Sequence, residues 1–147
     1  MSRRSQASLQ PTSRHPSPPV APARSLRVAI FGQSLISDWN HGNAHFLRGL
    51  VRSLQRLGHR VTFYEEEGNW SLANLRATQG EAAVAEFARV FPTMRTTMYR
   101  NGSPAALQPW LERVLDEADV ALVHEWNEPD LIRLVGRLGR ERRDLVT

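Results

Sequence analysis

The chain has 147 residues, enough for one domain. Apolar residues make up 41% and charged residues 23%, as in soluble globular proteins, and the lack of cysteine excludes disulfides and cysteine-ligated metal or redox sites. The net charge of +4 comes from the four arginines of residues 1–25, because arginines and acids cancel over residues 26–147. A neutral domain argues against a nucleic-acid partner, and no apolar run approaches the length of a membrane span.

Residues 1–25 form a segment rich in arginine, proline and serine that holds five of the nine prolines. With so few large apolar side chains, this segment is predicted to be a disordered tail that precedes a folded unit over residues 26–147. No apolar stretch follows Arg3 and Arg4, which argues against a secretory or twin-arginine signal, and the prolines argue against a transit-peptide helix. We therefore expect a cytoplasmic location.

The first half of the folded unit alternates strand and helix. Residues 26–31 are short and apolar and predict a buried strand, and residues 44–57 have helical spacing that ends at Gly58. The apolar face of that helix is expected to hold Phe46, Leu47, Leu50, Val51, Leu54 and Leu57. Residues 60–64 predict a second strand, which runs into Glu65, Glu66 and Glu67, a sequence typical of a solvated turn.

The second half continues the alternation. Residues 69–76 predict a short irregular or helical piece, and residues 84–91 predict a helix that Pro92 ends. A third strand is expected over residues 94–99. Ser103 and Pro104 then begin a helix with unbroken apolar spacing, in which Trp110 belongs to the core.

The last part of the chain predicts a fourth strand, a helix and the start of another strand. Residues 119–124 contain the apolar run of the fourth strand, Pro129 opens the helix, and residues 144–147 resemble the first residues of a fifth strand. This alternation predicts an α/β fold, with a Rossmann-like parallel sheet, helical crossovers and strand order 3-2-1-4. If the fifth strand is incomplete, the fourth becomes an apolar edge, and residues 26–147 are expected to be poorly soluble or oligomeric.

Two polar and aromatic loops leave the strands where the order reverses, which is where open parallel sheets bind ligands. Residues 32–43 lead to a helix N-terminus, whose free N–H groups suit a phosphate or carboxylate. Residues 124–129 gather two carboxylates, an imidazole, an indole and an amide, a set suited to hydroxyl-rich ligands.

Structural interpretations of the same residues remain open. Gly32 fits a tight turn, Asn43 fits a helix cap, and His124 fits a hydrogen-bonded residue at a strand end. Trp39 and Trp126 fit covers at the edge of the core.

Known catalytic motifs do not match. His41 and His45 have the spacing of metal ligands on a helix, but a third ligand is not apparent, so no metal site is expected. The chain has no P-loop, dinucleotide fingerprint, zinc-protease motif or nucleophile elbow. A flavodoxin-like or receiver-type domain is disfavoured because Phe31 and Gly32, rather than acids, end the first strand.

Several segments together resemble the opening of GT-B glycosyltransferases, and most closely the CgeB-like group, which is named for a spore-maturation protein. The segments are residues 27–32 (RVAIFG), 37–44 (SDWNHGNA), 57–61 (LGHRV), 69–75 (NWSLANL) and 119–127 (DVALVHEWN). The LGHRV segment is similar to the R-G-H-x-V element that precedes the second strand in many enzymes of this fold.

The resemblance implies transfer of a sugar from a nucleotide-sugar donor to an acceptor hydroxyl, with no cofactor besides that donor substrate. The residues it places near the donor phosphates and the cleft are Gly32, Ser34, Ser37, Asp38, Asn40, His41, Gly42 and Asn43. Those it places on the acceptor side are Trp39, His124, Glu125, Trp126 and Asn127. It assigns no catalytic residue.

A complete GT-B enzyme has two Rossmann-like domains, and the resemblance covers an incomplete N-terminal one. We therefore expect a glycosyltransferase fragment that is inactive or nearly so without the donor-binding domain. It would be a truncated gene product, a gene fragment, or one half of a split enzyme whose partner chain supplies that domain. The alternative is a non-catalytic Rossmann-like binding or interaction module.

Overall fold

The computed structural model describes residues 24–39 and 42–147. Most of the predicted tail, together with Asn40 and His41, lies outside these residues. Arg24 and Ser25, the last residues assigned to the tail, contact the folded unit: Arg24 donates to Asp119 at 3.2 Å and Ser25 Oγ donates to the carbonyl of Gly58 at 2.5 Å.

A single parallel sheet organises the molecule. Its strands are β1 (Arg27–Phe31), β2 (Arg60–Glu66), β3 (Thr96–Tyr99) and β4 (Val120–Val123), in the order β3-β2-β1-β4. The predicted fold class and strand order are therefore confirmed. β1 lies in the middle because its short apolar run is buried on both faces, as expected for a central strand of a parallel sheet.

In the described part of the chain, five helices flank the sheet. They are α1 (Gly42–Arg56), α2 (Trp70–Gln79), α3 (Glu81–Val90), α4 (Pro104–Asp116) and α5 (Pro129–Arg140). The core on one face packs α1 and α3 against β1 and β2, and the core on the other packs α4 and α5 against β1 and β4. Trp110 packs against the second core and stacks on Tyr99 with ring centroids 4.9 Å apart. No helix in these residues is long and apolar enough to cross a membrane.

The helix ends follow the predicted chemistry. After α1, Gly58 adopts φ +84° and donates to the carbonyl of Gln55, while His59 donates to the carbonyl of Leu54. This is the Schellman motif, in which glycine takes a left-handed conformation that other residues resist. Gly58 is thus confirmed as the stop, and the hydroxyl of Ser103 caps α4 as predicted.

The inward face of α1 differs from the prediction. Phe46 and Leu57 were expected inside but are exposed, whereas Arg48 is buried beside Leu47 and Val51. Spacing alone could not separate these positions because the loop before α1 supplies polar partners for a buried guanidinium. The segment expected at 69–76 is the regular helix α2, which Asn69 caps by accepting the N–H of Leu72 at 2.9 Å.

The segment after α5 reaches the outer edge of β4. Val146 accepts the N–H of Ala121 at 2.8 Å and donates to the carbonyl of Asp119 at 3.1 Å, which forms a parallel bridge with Val120. Leu145 is buried in the core below. The predicted start of a fifth strand is therefore present as a bridge.

Gly32 is required by packing. Its N–H donates to the carbonyl of Tyr64 at 3.1 Å, and an added Cβ would overlap the buried ring of Phe63. Gly32 thus extends the β1–β2 pairing by one residue, so the tight-turn interpretation is wrong.

We predict that Gly32→Ala lowers the free energy of unfolding by about 1–3 kcal/mol, because the ring of Phe63 must move within a packed core. Gly49→Ala in α1 is the matched control: its Cβ meets nothing within 4 Å, and alanine favours the helix by about 1 kcal/mol. Urea unfolding of both variants measures the effects, and a Gly32→Ala protein as stable as the wild type would contradict this account.

Candidate functional site

The candidate site lies at the carboxyl edge of the sheet, the edge at which the parallel strands end. The strand order reverses between β1 and β4, and such a reversal leaves a crevice in open parallel sheets. Residues 32–39 leave β1 at this point, and residues 124–128 leave β4 beside them. These are the two loops that the sequence indicates as chemically rich.

Buried polar side chains are concentrated under the first loop. Within the residues that the structure describes, six buried polar or charged side chains lie around this loop. They are Ser34, Ser37, Arg48, Glu65, Asn69 and Ser71. Because buried polar groups are costly unless they are hydrogen-bonded, this concentration indicates that the loop has a defined conformation.

Glu65 is the centre of this cluster. It lies near the end of β2 with none of its surface exposed. One carboxyl oxygen accepts the N–H of Leu35 at 2.7 Å, and the other accepts the hydroxyl of Ser34 at 3.0 Å. The prediction of a solvated turn is therefore wrong for Glu65, because the loop after β1 folds over the end of β2 and covers it.

Burial raises the pKa of Glu65 to about 7, since a carboxylate loses its hydration inside the protein. The hydrogen bonds from Leu35 and Ser34 favour the charged form and oppose this effect only in part. Glu65 is thus a carboxyl group whose protonation changes near neutral pH.

Two serines continue the hydrogen bonds from Glu65 to the protein surface, and we call them the serine relay. Ser34 Oγ accepts the N–H of Ser37 at 3.0 Å. Ser37 Oγ donates to the carbonyl of Ser71 in α2 at 2.8 Å and accepts the N–H of Trp39 at 3.3 Å. The relay therefore connects β2, the loop and α2.

Arg48 holds the same loop from the side of α1. Its Nε donates to the carbonyl of Leu35 at 2.6 Å and its Nη2 donates to the carbonyl of Ile36 at 2.8 Å. The guanidinium lies over the rings of Phe87 and Phe91, with its carbon 5.2 and 5.1 Å from the ring centroids. Arg48 thus satisfies carbonyls that have no strand or helix partner.

Three tryptophans lie in or beside the loop and form what we call the tryptophan rim. They are Trp39, Trp70 and Trp126, with exposed fractions of 45%, 47% and 47%. Trp39 and Trp70 meet edge to face with ring centroids 6.0 Å apart. In the amide orientation that satisfies both neighbours, Gln33 accepts the indole N–H of Trp70 at 3.0 Å and donates to the carbonyl of Trp126 at 3.2 Å.

The loop after β4 closes over the end of β1. His124 donates its N–H to the carbonyl of Phe31 at 2.9 Å, and its Nδ1 accepts the N–H of Trp126 at 3.2 Å. The amide of Asn127 donates to the carbonyls of Phe31 and His124 at 2.9 and 2.7 Å. The side chain of Asn127 thus stabilises the loop, whereas Glu125 is exposed.

The other predicted residues lie in and beyond the first loop. Asp38 is exposed, 3.9 Å from Arg48 and 4.0 Å from His45. Asn40 and His41 lie outside the described residues. Gly42 begins α1, and Asn43 is its second residue rather than its cap. Over residues 24–39 and 42–147, no group of three or more His, Cys, Asp or Glu side chains could hold a metal ion.

The hydroxyls of Ser34 and Ser37 are buried and hydrogen-bonded within the protein. Of the described residues predicted near the donor phosphates, Asp38 and Gly42 are exposed and Asn43 is half-buried. Sequence reasoning did not select Gln33, Arg48, Glu65 or Trp70 as site residues. The available sequence signal for Trp70 was its place in the NWSLANL segment, which is part of the family resemblance.

Two other grooves lie outside the two loops. One of about 490 Å³ lies at the carboxyl ends of β2 and β3 and is lined by residues that include Glu67, Arg100 and Trp110. Another of about 300 Å³ lies at the amino ends of β1 and β2. We regard the carboxyl edge as the site because both polar loops and the tryptophan rim are there.

The sequence matches no protein-family profile, no curated protein and no solved structure.

We predict that the stability contributed by Glu65 falls as pH rises. The folded-state pKa of about 7 exceeds the ordinary value of 4.5, so the folded protein binds the extra proton between these values. The free energy of unfolding should therefore decrease by about 3 kcal/mol from pH 4.5 to above pH 7, and Glu65→Gln should abolish this decrease.

Asp119→Asn is the control for this experiment. Hydrogen bonds from the side chain and backbone of Arg27 hold the pKa of Asp119 at about 2, so Asp119 is ionised throughout that range. Its variant should follow a curve parallel to the wild type. Identical pH dependence of wild type and Glu65→Gln in urea unfolding would contradict the assignment.

Proposed function

We propose that this chain is the acceptor-side Rossmann-like unit of a glycosyltransferase, which transfers a sugar from a nucleotide-sugar donor to an acceptor hydroxyl. The observation that carries the proposal is the tryptophan rim at the carboxyl edge, where the strand order reverses between β1 and β4. The family resemblance of the loops supplies the reaction class.

The chemistry of the rim supports a sugar ligand. An indole presents a flat apolar face to the C–H groups of a sugar ring, and three such faces are half-exposed at one edge. Carboxylate groups hydrogen-bond hydroxyls, and Glu125 is exposed in the second loop, while Gln33 joins the indole of Trp70 to the backbone of Trp126. These groups would bind and orient an acceptor.

The proposal that this chain also contacts the donor depends on residues 32–43, which the resemblance places near the donor phosphates. α1 begins at Gly42, and the N–H groups in the first turn of a helix have no partner within the helix, which suits a diphosphate. The buried relay would shape this loop rather than contact the donor, since Ser34 and Ser37 are bonded internally. Leaving-group stabilisation would come from a donor-binding domain, and the activity is proposed only in its company.

One observation favours the alternative, a non-catalytic binding or interaction module. Nδ1 of His124 and the amide of Asn127 are bonded to backbone groups of their own loop and of β1. Two of the polar residues that the resemblance places on the acceptor side thus have a structural part, which leaves a binding surface without an evident acid or base.

Thermal unfolding with UDP, GDP and their sugar conjugates tests the proposal. A ligand that binds only the folded state stabilises it by about 2.7 kcal/mol at 100 times its Kd, which corresponds to a rise in Tm of about 5–10 °C for a chain of this size. We expect a saturable rise with one nucleotide series.

Two variants make the test specific to the site. Trp70→Ala should weaken any rise caused by the sugar conjugate, and Leu57→Ala should not, because Leu57 is an exposed apolar residue at the opposite end of α1. A rise with neutral saccharides but with no nucleotide would favour the binding module. The absence of any saturable rise would contradict the proposed donor-phosphate and acceptor sites in this chain.

A further inference from the structure

Trp39 and Trp70 are both about half-exposed, so burial alone does not fix the geometry of this pair. Ser37 ties their backbones together: its hydroxyl accepts the N–H of Trp39 and donates to the carbonyl of Ser71, which follows Trp70 in α2. The edge-to-face contact of the two indoles thus depends on where Ser37 is held.

Ser37 is held in turn by Ser34, and Ser34 by Glu65. The N–H of Ser37 donates to Ser34 Oγ at 3.0 Å, and the hydroxyl of Ser34 donates to the carboxyl of Glu65 at 3.0 Å. Glu65 has no exposed surface, so the relay begins in the interior and ends at the surface.

We propose that Glu65 is a positioning residue of the tryptophan rim: while it is protonated the loop stays closed and Trp39 packs on Trp70, and when it ionises the loop opens and the pair separates. This inference goes beyond the proposed function. Its test requires no ligand, so its failure is distinct from the failure of that function.

The coupling follows from linkage. A closed loop keeps Glu65 away from water, whereas an open loop lets water solvate the carboxylate, so ionisation favours the open form. Burial in the closed form raises the pKa of Glu65 from 4.5 to about 7. The ratio of closed to open loop should therefore fall by on the order of 100-fold as the carboxyl ionises.

Protonation also changes the bonds in the relay. An ionised carboxyl only accepts, and it accepts the hydroxyl of Ser34 and the N–H of Leu35. A protonated carboxyl must donate its own O–H, for which Ser34 Oγ is the acceptor within reach, while the other oxygen still accepts from Leu35. The loop therefore keeps its anchor in the protonated form without a buried charge.

Other charged and polar side chains lie near Glu65 and the tryptophan rim, and the test must separate their effects from that of Glu65. On α1, Arg48 carries a positive charge, which the nearby carboxylates of Asp38 and Glu65 stabilise. In the loop, Asp38 lies 4.0 Å from His45. α2 and its cap contribute uncharged Asn69 and Ser71, and β3 pairs Met98 beside Glu65. His124 touches Trp126 edge-on with ring centroids 6.1 Å apart. His45 and His124 are therefore the histidines replaced in the control variants.

Tryptophan emission and near-ultraviolet circular dichroism of the full chain, recorded from about pH 5 to about pH 9, test the proposal. In the wild type we expect the emission maximum to move to longer wavelength with a midpoint near pH 7, as Trp39 and Trp70 become more exposed. His45→Gln and His124→Gln should keep this transition. Glu65→Gln should abolish it, and Trp39→Phe should reduce it.

Ser37→Ala keeps the test decisive if Glu65→Gln does not fold. It leaves the carboxyl in place but removes the tie between Trp39 and α2, so the long-wavelength emission should already be present at about pH 5. The proposal is overturned if the transition persists in Glu65→Gln, disappears in either histidine variant, or is absent from the wild type. A Ser37→Ala protein that titrates like the wild type also overturns it.

Discussion

The hydrogen bonds that join Glu65 to Leu35 and Ser34 are the constraint on which the carboxyl edge depends. They fix a loop that has no regular secondary structure to the end of a central strand. Arg48 holds the same loop from α1, and the serine relay extends its order to α2. Without these bonds, the loop would have buried polar groups and no defined path between β1 and α1.

The same constraint connects stability with a surface that could bind a ligand. A carboxyl buried without a charged partner in direct contact destabilises the folded state once it ionises, so it is costly to keep at neutral pH. Binding surfaces often retain such strain, because the groups that shape them cannot all be chosen for stability. The half-exposed indoles of the tryptophan rim are a second case, since burying them would stabilise the protein but remove the surface.

Strand order and most element positions could be predicted because they follow from local pattern. The apolar runs at Arg27–Phe31 and Val120–Val123 are short and unbroken, as buried parallel strands require, and Gly58 marks a helix end whose conformation suits glycine. The cluster around Glu65 could not be predicted in this way. Three consecutive glutamates indicate solvent, and the burial of the first depends on a loop about thirty residues earlier in the chain. Arg48 is buried and Phe46 is exposed for the same reason: partners distant in sequence decide which residues of α1 face inward.

Hydrogen exchange of the Leu35 amide, followed by NMR, tests the central claim most directly. Leu35 is fully buried, and its N–H donates to Glu65. At about pH 5, where Glu65 is protonated, we expect wild-type protection at Leu35 close to that of strand amides such as Ile30, and in Glu65→Ala a loss of at least about tenfold at Leu35 with Ile30 unchanged. A Leu35 amide that exchanges in the wild type as fast as exposed loop amides would contradict the claim that Glu65 holds this loop.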